Sequence, residues 1–334
     1  MTLFCARIIK RPGWLTTLEH CPIPLAGFAL GVASLGNALE TAFNLQGYAR
    51  LWLSSIASLC LVLLTISALL YPRRIHQILK HPVAGGIVPT FCMGWMTLSG
   101  TLRVAAPTWA TAIWSAAVIL HISALVRFGY CRWKERHWQH MAPSWFIPSV
   151  GFIVATLNCP TPAYHTYCLW LLGVGMLNLA VLMPLMFYRL FMYPPLDHTA
   201  QPTLAILAAP VSLTLAGYIT NIQAPESWIC GFLAGIALLM TAIAYPCICT
   251  QLRRPFTPAH AAFTFPMVIG VIALQKLALL PVLQLSRLFN LPLAIWVSAL
   301  SYFELLIAVI LIIYVTFGFV MLTYQALCHL YQTH

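Results

Sequence analysis

Four prolines stand in the middle of four apolar segments of this chain, and they recur at nearly constant spacing. They are Pro89 in HPVAGGIVPTF, Pro148 in APSWFIPSVGF, Pro210 in QPTLAILAAPVS and Pro266 in TPAHAAFTFPMV, separated by 59, 62 and 56 residues. Each segment also opens near a second proline: Pro82, Pro143, Pro202 or Pro258. An earlier segment, CPIPLAGFALGV, carries the opening proline at Pro22 and has Ala29, 60 residues before Pro89, where the central one would fall. A period of about 60 residues accommodates one helical hairpin, so the chain reads as five repeats. Their bounds are about 20–75, 80–133, 141–195, 200–252 and 256–324.

The solvent these helices need follows from the charge supply. Only 7% of the 334 residues are charged and 61% are hydrophobic, whereas a soluble domain carries about 25% charged residues. Apolar runs of roughly 20 residues, the length that crosses a bilayer as a helix, recur along the whole chain. Ten spans are expected, at about 23–44, 48–71, 83–105, 107–130, 144–159, 164–192, 202–221, 225–250, 258–282 and 291–324. The expectation is an all-α membrane protein, a single transmembrane domain over 1–334 that consists of five helical hairpins. No signal-peptide pattern follows Arg7, Lys10 and Arg11, so the first span is expected to be retained.

The net charge of +11 matches positive-inside bias better than nucleic-acid binding. Thirteen basic residues fall in the N-terminal segment and after even spans, among them Arg73, Arg74, Lys80, Arg132 and Arg189. Only Arg50, Arg103, Lys276 and Arg287 fall on the other side. Both termini are therefore expected in the cytoplasm.

A two-span repeat starts and ends on one side, so successive repeats are parallel and related by an axis along the membrane normal. Five of them give a pseudo-five-fold arrangement around a central pore. The odd spans suit the inner ring, because each central proline deprives the carbonyl four residues back of its donor. Those carbonyls, of Gly85, Ser144, Ile206 and Ala262, are tolerable beside a water-filled passage and costly beside lipid. The residue before each break is Phe28, Val88, Ile147, Ala209 or Phe265, an apolar row at one depth. Apolar constrictions gate by excluding water. Of the row, Phe265 is the expected pore gate.

The chain has no intramembrane ring of Asp or Glu, which disfavours a cation pore. Lys276 and Lys80 at the mouths could concentrate anions. Glu304, the exceptional carboxylate within a span, is expected to pair with Lys276 or Arg287; proton relay is the other reading. No cofactor or metal is expected. The eleven cysteines include no CxxC pair. His137 and His140 in HWQH have a single acid, Glu135, nearby, and His121 and His260 read as core histidines. No constellation for an enzyme is present.

The segments PIPLAGFALGVASLGN, PSWFIPSVGFIVA, PTLAILAAPVSLTLAGYI and AFTFPMVIGVIAL resemble the tellurite-resistance/dicarboxylate transporter family. It includes bacterial tellurite-resistance membrane proteins, fungal malate and sulfite transporters and the plant guard-cell slow anion channel. The resemblance covers nearly the whole chain. It implies five hairpins around a pore, a homotrimer with one pore per protomer, and Phe265 as the plug that precedes the ninth span's proline. Ala29 departs from the first-span proline of many relatives. The long phosphorylated tails of the plant channels have no counterpart here. The implied function is an anion channel or channel-like exporter of a bacterial inner membrane, for chloride, nitrate, sulfite, dicarboxylates or other oxyanions; the alternative is a proton-coupled transporter of malate, sulfite or tellurite-type oxyanions.

Overall fold

The computed structural model describes residues 18–19, 21–288 and 290–332; Arg7, Lys10 and Arg11 lie outside the described residues. The chain is an all-α membrane protein whose single strand pair, among the described residues, is the short turn-closing pair Arg287–Leu288 and Leu291–Pro292. Among the described residues, seven helices are long and apolar enough to cross a membrane, and two classes separate by burial. Gln201–Asn221 and Pro258–Ala278 are 83% buried, while Tyr48–Leu70, Pro107–Glu135, Pro162–Met192, Ser227–Leu252 and Leu293–Gln325 are 28–39% buried. The second class exposes Leu, Ile and Trp side chains such as Trp52, Leu69, Trp170 and Ile313. An unbroken apolar exterior of this kind suits lipid tails and not water.

Three further segments lie inside this layer: α1 (Leu25–Phe43), the pair α2 (Ala84–Ile87) and α3 (Thr90–Leu102), and the stretch 143–157. None is among the seven, because a break at Pro89 divides α2 from α3, the stretch 143–157 is too short for a full span, and α1 carries small and polar residues at Ser34, Gly36, Asn37 and Thr41. With α4 (Val154–Leu157), α5 (Ala209–Asn221) and α6 (Thr264–Ala278), these segments touch in sequence order: α1 on α3, α3 on α4, α4 on α5, α5 on α6, and α6 back on α1.

The central prolines shape the backbone differently from the sequence expectation. Gln201–Ala208 and Pro258–Phe263 are wound as 3-10 helices, and each passes into an α-helix just before its proline. Pro210 and Pro266 therefore sit in the first turn of α5 and α6, where a missing N–H costs nothing. The tighter winding also moves the donor one residue closer. The Ile206 carbonyl, expected to be unpaired, accepts the N–H of Ala209.

At the third break the backbone is satisfied by side chains from the flanking long helices. Trp114 Nε1 donates to the Ala155 carbonyl at 3.0 Å, and Asn178 Nδ2 donates to that of Ser149 at 2.8 Å. His121 Nε2 lies 3.1 Å from the Pro148 carbonyl oxygen. A carbonyl only accepts, so Nε2 carries the proton. His121→Leu should thus cost about 1–3 kcal/mol, the penalty of a stranded buried acceptor. Thermal unfolding in detergent would read this as a lowered Tm, and an unchanged Tm would mean that the bond carries no weight.

Candidate functional site

Two cavities lie end to end inside the ring of buried segments. The first, about 50 Å³, opens among the proline-proximal halves and is lined by Pro24, Gly27, Ile87, Thr90, Ile147, Ile206, Ala209, Pro210 and Ala262 among others. Thr90 is its one polar side chain, and its hydroxyl is spent on the Ile87 carbonyl at 2.7 Å. This throat is uncharged. The second cavity, about 220 Å³, lies among the distal halves and is lined by Ser34, Asn37, Arg50, Thr97, Arg103, Asn158 and Lys276, with Ile269 and Ile272. Among the described residues it has three cationic side chains and no acid. A single residue lines both cavities: Phe265, 7% exposed.

The row expected at the constriction is brought together only in part. Ile147, Ala209 and Phe265 line the throat, with Pro210 and Pro266. Phe28 does not: its ring packs 5.4 Å from that of Phe319 on the C-terminal helix α7 (Leu293–Gln332). Val88 instead lines a separate pocket with Leu64, Leu120 and Phe91. In both repeats the neighbouring residue, Gly27 or Ile87, faces the throat. One residue turns a helix face by about 100°, so an alignment displaced by a single position points inward residues outward. Pro89 and Pro148 line neither cavity.

Glu304 is buried, at 4% exposure, with its Oε2 2.8 Å from where a Cβ on Gly270 would stand. It forms no ion pair with Lys276 or Arg287, contrary to the expected pairing. Glu304 and Gly270 share a crevice with Ser212 and Thr241 behind the throat, whereas Lys276 faces the second cavity and Arg287 sits in the exposed strand pair. Glu135 pairs with Arg132 at 2.8 Å. His260 accepts the Thr257 N–H through Nδ1 at 3.1 Å and so caps the 3-10 turn leading to Phe265. Among the described residues no group of three or more His, Cys, Asp and Glu side chains gathers at one point. Of the basic vestibule, the sequence pointed to Lys276 alone as a mouth charge. Arg50 and Arg103 stood out there only as minority-side charges, and their convergence needs the fold.

Phe265 is held in place by the crossing of α1 and α6. Thr264 Oγ1 donates toward the Ala261 and Gly27 carbonyls, at 2.8 and 3.2 Å. A Cβ on Gly31 would lie 2.6 Å from Thr264 Cβ and 3.0 Å from the Phe265 nitrogen. Gly31→Ala should therefore force the two helices apart and lower stability by about 1–3 kcal/mol, the usual cost of overpacking. The same denaturation assay would show it; a variant as stable as the parent would mean that the crossing is slack.

An apolar throat thus lies in series with a basic vestibule, inside a shell of long apolar helices. Residues 20–321 match the family model described as voltage-dependent anion channel, SLAC1. The chain belongs to the SLAC1 family. Two uncharacterized transporters of Methanocaldococcus jannaschii are also similar to it. One is 24% identical over 60% of this chain and 66% of its own length, the other 25% identical over 57% and 62%. The chain thus spans somewhat less than two thirds of those relatives. This SLAC1-family chain is a multi-pass membrane protein, and the proteins it is similar to are described as a channel family and as transporters.

Proposed function

We propose that the chain conducts small anions passively through a pore closed by Phe265. Ten spans, as five hairpins in pseudo-five-fold order, would form one transmembrane domain, with the buried segments as the inner ring. The closed sequence of contacts from α1 round to α6 and back supports this reading. The observation that carries the gate is that Phe265, alone of all the lining residues, belongs to both cavities. Its ring separates a dry throat from a wet, positively charged vestibule, and Ile147 and Ala209 form the apolar collar on the throat side. Arg50, Arg103 and Lys276 favour anions by raising their local concentration.

The vestibule opens on the side away from the basic loops, so it faces outward when the termini lie in the cytoplasm. Homotrimeric assembly in a cytoplasmic membrane follows from the family resemblance, and the mass of the detergent-solubilised complex tests it. A second reading, proton-coupled transport, draws on Glu304, a buried carboxylate beside Gly270 on the helix that carries Phe265. Reconstitution separates the two. A channel passes chloride or nitrate under a membrane potential with no pH gradient. Uptake that collapses with the proton gradient, and no potential-driven current, would overturn the passive reading.

A further inference from the structure

Arg50, Arg103 and Lys276 come from three different elements and meet in one cavity whose lining, among the described residues, includes no carboxylate. Their charges are not spent on one another's usual partners. Among the described residues the Arg50 Nε is buried without a hydrogen-bond partner, Arg103 gives one N–H to the Cys159 carbonyl at 3.1 Å, and the Lys276 ammonium makes no hydrogen bond or ion pair. Below the vestibule lies a throat with no charge and no free donor side chain. The two compartments therefore treat an anion's charge in opposite ways. Attraction to fixed cations grows linearly with the charge of the ion. The cost of leaving water for a dry, apolar passage grows with its square.

We infer that the vestibule is a binding site for small dianionic oxyanions, which lodge on the Phe265 ring and block the passage of monovalent anions. The inference rests on the reading of the two cavities as one pathway. Two guanidinium forks and an ammonium suit a ligand with oxygens at two ends, and the Asn37 amide adds a neutral lining group. The volume of about 220 Å³ falls below the roughly 300–1,000 Å³ of drug-sized pockets, so the occupant is small. A monovalent anion gains less in the vestibule but pays far less at the throat, and it passes.

Malonate is a suitable probe and acetate its monovalent control. Single-channel chloride currents would be recorded with each added to one face at a time, at matched ionic strength. Block by malonate from one face only is expected, with acetate inert. Lys276→Gln and Arg50→Gln, each scored against its own malonate-free current, should raise the half-blocking concentration about tenfold, the worth of one charge-assisted contact. Equal block by acetate, malonate current exceeding that of chloride, or half-blocking concentrations unchanged in both variants would overturn the inference. Calorimetric titration of the purified detergent-solubilised protein with malonate gives a readout independent of gating. If Phe265→Ala leaves chloride flux unaltered, the gate reading fails, while a malonate heat that is lost in Lys276→Gln still establishes the site. No malonate heat in the parent protein would remove it even if the gate stands.

Discussion

Phe265→Ala raises chloride and nitrate conductance by about tenfold or more. The ring is the sole side chain shared by the throat and the vestibule, so truncation to a methyl group joins them. A permeating anion at the ring would meet an apolar wall on the throat side, in a throat of about 50 Å³. Removing even ~1.4–2.8 kcal/mol of that barrier is worth ten- to a hundredfold in rate. Phe265→Leu, which keeps the apolar character and loses the planar ring, should fall between Ala and the parent. Proteoliposome flux under an imposed potential measures all three, with monodisperse elution as the control for folding. Flux at or below the parental level in a folded Ala variant would remove Phe265 from the gate.

The largest effect of opposite sign belongs to Gly27→Leu. A Cβ on Gly27 meets only the Ala261 carbonyl oxygen, at 4.0 Å. The Cβ thus makes no more than ordinary contact, and the larger side chain has a cavity beside it to enter. It would fill much of a throat of about 50 Å³, and flux should drop at least about tenfold, since even ~1.4 kcal/mol of added barrier suffices for that. Stability should hold or rise, because leucine in a helix is worth roughly 0.8 kcal/mol over glycine. Gly31, one helical turn further along α1, behaves in the opposite way because a Cβ there collides with Thr264. A folded Gly27→Leu protein that conducts like the parent would show that ions do not pass this wall.

Much of this was legible in the chain itself. Its scarcity of charge requires lipid as solvent, and the recurrence of central prolines distinguishes segments that break from segments that do not. Burial follows the same division: the broken segments 201–221 and 258–278 are buried, and the five long, lipid-clad helices are not. Phe265 could be singled out because an aromatic ring directly precedes a break, and the cavities meet at that ring.

Other features had no local signal. Register was one: Phe28 and Val88 occupy positions homologous to Phe265 by counting, yet side-chain direction depends on how each segment is wound around its break, and they face Phe319 and Leu64 instead. The carbonyl of Ile206 was another, since a 3-10 turn and an α turn can share a sequence and differ in which N–H arrives. Composition determined the solvent, and the prolines marked the segments that depart from a long continuous α-helix, because those depend on one segment at a time. Only the tertiary structure decided which faces look inward, that Glu304 stands apart from Lys276, and that Arg50, Arg103 and Lys276 share a chamber. These are relations between segments far apart in the chain, and no short-range preference encodes the rotation of one helix against another.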